Sequence, residues 1–286
     1  VLSLSSGVMH HRLVDRITSL NDVPREPLVP RRLGKNMCVP FGKILRGKVV
    51  PNTVTKTLHT DKVYEPDLES YTIEPFPYYS PLNSQIETIR SFDRPVILVD
   101  DLVHKADRLQ VLVPQLREDG IPIRKVVVGV LSGYGRDLMQ CLKVPVESIY
   151  SMPNLRQWFV ESTLYPFIGG DTVRREEMKV AGLQPSINMI LPYATPKLSG
   201  CSREALVEFS ACCIENSRDL LQVLEAEYRK QYAKNLTLSR LSEAVILPLC
   251  PDKGSCMEYD ENLAASVYLE NDLETLWRMK EFLIKG

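Results

Sequence analysis

The sequence predicts an α/β fold: a mainly parallel sheet with flanking helices, followed by a C-terminal helical region. Three observations carry that expectation. Residues 96–99 and 126–131 are apolar without alternation, as in strands covered on both faces. Helix-period segments separate these runs, which suits parallel strands joined by crossover helices. Beyond Gly200 two long helical periodicities take over.

Taken in order, residues 7–20 place Val8, Leu13, Val14, Ile17 and Leu20 at the spacing of a short amphipathic helix, ended by Asn21, Asp22 and Pro24. From 24 to 51 the chain is rich in proline and basic residues, and helix is not expected. Residues 53–63 alternate as a strand would, with Val54, Lys56, Leu58, Thr60 and Lys62 on one face. Ser80 before Pro81 reads as an N-cap with proline at the first helical position, opening a helix to Phe92. A strand then ends in Asp100 and Asp101. Residues 107–118 form the next helix, with Leu109, Leu112, Val113 and Leu116 on one face, Pro114 as a kink and Gly120 as its close. Strands over 125–131 and 146–150 follow, the first ending in the Gly133-Tyr134-Gly135 turn. Residues 167–172 are expected to make a loop turn with a helix starting at Asp171 or Thr172. Helices are expected over 202–233 and 263–284, and Cys212 and Cys213 inside the first read as small buried residues. The expected domains are an N-terminal helix over 1–23, an α/β domain over 24–195 and a helical appendage over 196–286.

The chemistry gathers at Asp100 and Asp101, since ligands of open α/β sheets collect at the carboxyl ends of the strands. Adjacent strand residues point to opposite sides, so both meet one ligand only if the chain turns there, and Asp100 is then the structural member. Ser132, Gly133 and Arg136 are expected at the same sheet edge, with Arg136 as a cation for the site. His104 stands next to the acidic pair as a candidate acid or base, or as an ordinary polar loop side chain.

Residues 96–102 resemble the signature of type I phosphoribosyltransferases, a hydrophobic strand running into two acids and two apolar residues before a loop and a helix. The resemblance implies that Asp100 and Asp101 bind ribose hydroxyls and that the loop holds a 5′-phosphate. Here that loop reads His104, Lys105, Ala106, Asp107 and Arg108, without the family's glycines and threonines. Lys105 and Arg108 would then replace amide geometry with charge, while Asp107 reads as the cap of the following helix. Residues 38–47 are similar to the family's pyrophosphate-contacting strand and glycine loop, and Lys56 with Lys62 to its mobile basic loop. Magnesium would arrive on the pyrophosphate of the ligand rather than on protein ligands. Residues 39–56, Tyr78-Tyr79 and Asp100-Asp101 also look like uncharacterised bacterial regions that follow a cytidylyltransferase-like domain. The His-x-Gly-His motif of that chemistry is absent among His10, His11, His59 and His104.

Composition narrows the partners. With 286 residues and a net charge of −1, there is no basic field for nucleic acid. No apolar stretch is long enough for a membrane helix, and a cytoplasmic setting is expected. Seven cysteines, an odd number in a chain of this size, read as reduced thiols. The Cys250 and Cys256 spacing lacks a second close pair, so no metal site is expected. A homodimer is expected, with Trp158, Phe159 and Tyr165 as core or dimer contacts. The chain starts at Val1 without an initiator methionine, which suggests a piece of a longer protein with an upstream domain. Two functions follow: binding of a phosphoribosyl compound or nucleotide, with phosphoribosyl transfer as the implied reaction, or a non-catalytic regulatory or dimerisation module.

Overall fold

A computed structural model describes residues 2–24, 33–76, 79–174, 183–196, 200–242, 244–249 and 259–285. Cys250, Cys256 and Tyr78 lie outside them. The chain divides into two compact units, the first formed by Val1–Asp61 and Ile73–Gln157, the second by Lys62–Thr72 and Trp158–Gly286.

The first unit begins with α1 (Ser6–Leu20), whose N-cap Ser5 accepts a hydrogen bond from the Val8 amide. Then come β1 (Met37–Pro40), and β2 (Thr60–Tyr64) paired with β3 (Tyr71–Pro75), a ribbon whose residues 62–72 count with the second unit. The remaining elements alternate: α2 (Leu82–Arg90), β4 (Val96–Val103), α3 (Asp107–Glu118), β5 (Ile123–Ser132), α4 (Gly133–Cys141) and β6 (Val146–Met152). Strands β1, β4, β5 and β6 pair in that order, all parallel.

Because the strand order advances in one direction, right-handed crossovers should leave every connecting helix on the same face. The buried clusters show this. Met37, Val39, Val96, Leu98, Val126 and Val128 pack with Ile86 of α2, Leu112 of α3 and Met139 of α4. The alternate residues Cys38, Ile97, Val99 and Val127 turn to the opposite face, where Met9, Leu13, Val14 and Ile17 of α1 cover them. Met9, rather than the exposed Val8, completes that helix face, its sulfur lying where a Cβ on Gly129 would stand. Helix α3 runs through Pro114 and closes at Gly120, whose φ of +73° lets the Ile121 amide return to the Leu116 carbonyl.

The expected strand over 53–63 is confined to its end. Residues 54–58 instead run along the outer edge of β1, where the Cys38 amide donates to the Val54 carbonyl and the Lys56 and Leu58 amides to Cys38 and Pro40. The Thr53 and Thr55 hydroxyls bond to carbonyls two residues back, competing with regular pairing. The predicted face breaks up: Leu58 is buried, whereas Lys56 is exposed.

In the second unit, β7 (Asp171–Thr172) pairs antiparallel with β8 (Gln184–Ile187), followed by α5 (Arg203–Tyr232), β9 (Ile246–Pro248), parallel to β8, and α6 (Ala265–Lys285). The helix expected at Asp171 is therefore a strand. Leu164, Phe167, Leu183 and Ile187 share one buried cluster with Val207 and Ile214 of α5 and Leu269 and Leu276 of α6, all within the second unit. Trp158 and Phe159 are about half exposed, and Cys212 is exposed while Cys213 is buried, since neighbours on a helix lie 100° apart. Among the described residues no helix is long and apolar enough to cross a membrane.

Candidate functional site

At the carboxyl ends of β1 and β4 the chain folds closely onto itself. Residues beyond β1 bend over β4, with the Phe41 amide donating to the Val99 carbonyl at 3.0 Å. Gly42 then sits against the acidic pair so tightly that a Cβ would stand 2.5 Å from Asp100 Oδ1, 2.6 Å from Asp101 Oδ1 and 2.8 Å from the Asp101 amide. That approach requires glycine.

The two acids have different partners. Both Asp101 oxygens accept backbone amides from the loop, Lys43 N–H at 2.7 Å and Ile44 N–H at 2.9 Å. Asp100 Oδ1 accepts the Asp101 amide at 2.8 Å. Burial first, and then the Asp101 charge, push the Asp100 carboxyl up to about 7, with Arg108 and the amide pulling the other way. The acid expected to face a sugar thus holds a loop, and the one expected to be structural carries the perturbed proton.

Two arginines approach this pair. Arg108 Nη1 donates to the Phe41 carbonyl at 3.3 Å, while Arg46 lies with its guanidinium 5.1 Å from the Phe76 ring centre and Nη2 3.5 Å from the Thr60 carbonyl. Arg46 Nε and the fully buried Thr60 hydroxyl have no hydrogen-bond partner. Burial, and then the neighbouring Arg108 charge, lower the Arg46 pKa, and Asp61 and Asp101 oppose them. Neither arginine forms an ion pair among the described residues. Arg46 lies within the 38–47 segment likened to a pyrophosphate-contacting loop but is not singled out there; the signal for it is its place four residues after Gly42, in the loop that folds onto the acids.

His104 and Ser132 meet across the ends of β4 and β5, with Nδ1 2.8 Å from Oγ. Ser132 Oγ also accepts the Gly135 amide at 2.9 Å as the N-cap of α4. A Cβ on Gly133 would crowd the Pro153 carbonyl, and one on Gly135 the Val103 carbonyl, so both glycines serve a tight strand-to-helix turn. Arg136 donates to Ser151 Oγ at 2.7 Å, at the end of β6. Lys105 is exposed, its carbonyl accepting from Gln110. Asp107 is not the cap of α3: that position is Ala106, in the left-handed region at φ +55° with no side-chain hydrogen bond. Lys56 lines a separate cavity with His59, and Lys62, in the second unit, lies with its ammonium 3.7 Å from the Tyr71 ring centre.

No family model and no curated protein matches this chain. Solved structures similar to it include a purine phosphoribosyltransferase from Pyrococcus horikoshii, at 11% identity and a TM-score of 0.33 over 56% of this chain and 97% of that one. Another is the protein TT1426 from Thermus thermophilus, at 15% identity and a TM-score of 0.31 over 52% of this chain and 84% of that one. Both likenesses are low, and the α/β architecture rests on this chain's own strand pairing.

Proposed function

We propose that this chain binds a phosphorylated ribose compound or nucleotide at the carboxyl ends of β1, β4 and β5, in a phosphoribosyltransferase-like site. One observation carries the reading: Arg46 Nε is buried without a hydrogen-bond partner in the loop beyond β1, the loop whose Phe41 carbonyl Arg108 also reaches. A buried guanidinium donor left unpaired costs free energy that an anion would offset, and arginine suits phosphate because its donors form a planar fork. The start of α3, uncapped by any side chain, offers amide donors nearby in sequence.

A second reading, a regulatory module without transfer activity, is favoured by the Asp101 carboxylate. Each Asp101 oxygen already accepts a loop amide, so ribose hydroxyls would have to share that carboxylate with the loop. Magnesium would be held mainly by the ligand's phosphates and by water. Binding is separable from transfer by titration calorimetry with phosphoribosyl pyrophosphate and ribose 5-phosphate, with and without magnesium. Arg46→Gln and Arg108→Gln should each weaken binding roughly 10- to 100-fold, the range of one charge-assisted hydrogen bond. If no ribose phosphate binds the parent chain, the regulatory reading replaces ligand binding.

A further inference from the structure

A cavity of about 100 Å³ opens where residues 56–59 meet the start of α2. Lys56, His59, Tyr79, Ser80, Ser84, Gln85 and Thr88 line it, and among the described residues no carboxylate does. That is well below the roughly 300–1,000 Å³ of pockets that hold organic ligands, so it suits a small oxyanion.

Its geometry is held from behind. Gln85, nearly buried, accepts the His59 amide at 2.7 Å and donates to the His59 and Ser80 carbonyls at 3.2 and 2.8 Å. The His59 ring stacks on Tyr79 at 3.7 Å between centres, 15° from parallel. Across from them, α2 begins at Pro81 without a side-chain cap and without an acidic residue in its first turn. The opening amides of that turn have no acceptor within the helix. An ammonium, an imidazole and the hydroxyls of Ser80, Ser84 and Thr88 thus line one small space.

We propose that this cavity binds a phosphate-type oxyanion, with Lys56 and His59 as its nitrogen contacts and the hydroxyls of Ser80, Ser84 and Thr88 as its polar wall. The site is separate from Arg108 and the acidic pair, and it does not rest on their reading. Burial, and then the charges of Arg46 and Lys56, hold the His59 pKa below the usual histidine range, and Tyr79 is the other titratable group against the ring. A bound anion acts in the opposite direction. It raises the His59 pKa, so binding takes up a proton and tightens as pH falls through the histidine's range.

The test is a titration of the full chain with inorganic phosphate, followed through the His59 ring resonances by NMR against a chloride control of equal ionic strength. A saturable shift with a raised His59 pKa is expected. Lys56→Met should weaken it at least tenfold, while Arg108→Gln should leave it unchanged. Ser84→Asp places an acid where a helix N-terminus favours one, so that variant keeps α2 while repelling the anion, and its His59 shift should vanish. Ribose 5-phosphate in parallel separates the sources: a shift lost in Lys56→Met assigns the phosphate ester to the cavity, and a shift with inorganic phosphate alone restricts it to the free ion. No saturable response at His59, or equal binding by Lys56→Met and Ser84→Asp, overturns the proposal.

Discussion

Asp100 and Asp101 are neighbours in sequence with opposite circumstances, and the difference is measurable. The Asp100 carboxyl, raised to about 7, keeps its proton in the folded chain at pH values where the unfolded chain has released it. Over that window the native state binds more protons, so stability falls as pH rises from about 4 to about 7. Asp100→Asn removes the charge and keeps an oxygen for the Asp101 amide. Its melting temperature should therefore decline less than the parent's between about pH 5 and pH 8, and at pH 8 it should at least equal the parent's. An unchanged pH slope would refute this. The acidic pair itself was legible in the sequence as two carboxylates ending an apolar run. Which of them carries the perturbed proton was not, because that depends on Lys43, Ile44 and Gly42 folding back from about 58 residues away.

Single side chains define several elements, and Ser132 serves two at once. It caps α4 through the Gly135 amide and meets His104 at the end of β4. Ser132→Ala should cost about 1–2 kcal/mol, the usual range for a lost N-cap, read as a lower urea midpoint with an unchanged slope. Full retention of stability would mean that the cap is not used in solution. Helices with a clean apolar stripe and a marked end were legible in advance, as with α3 closing at Gly120. Residues 53–59 were not, although their β-branched alternation is strong. Their backbone groups are taken by β1 and their threonine hydroxyls by nearby carbonyls, which sequence periodicity does not report.

For the molecule as a whole, the buried clusters of the first unit lie on the two faces of one sheet, and the second unit holds its own around α5 and α6. Two such cores should give two calorimetric transitions. Gly42→Ala tests this, because its new methyl has only a carboxylate pair and a backbone amide to push against. An overpacking cost of about 1–3 kcal/mol should lower the transition of the first unit and leave the other in place. A single transition that moves as one would show that the cores unfold together. The sequence by itself determined the alternating strands and helices, the parallel sheet and the strand that ends in Asp100 and Asp101, because periodicity and burial act locally along a chain. Only the tertiary structure decided that Leu164 and Phe167 share a core with α5 and α6, that loop amides reach Asp101, and that Arg46 is buried. Each of those requires segments distant in sequence to meet, and no local pattern encodes which segments do.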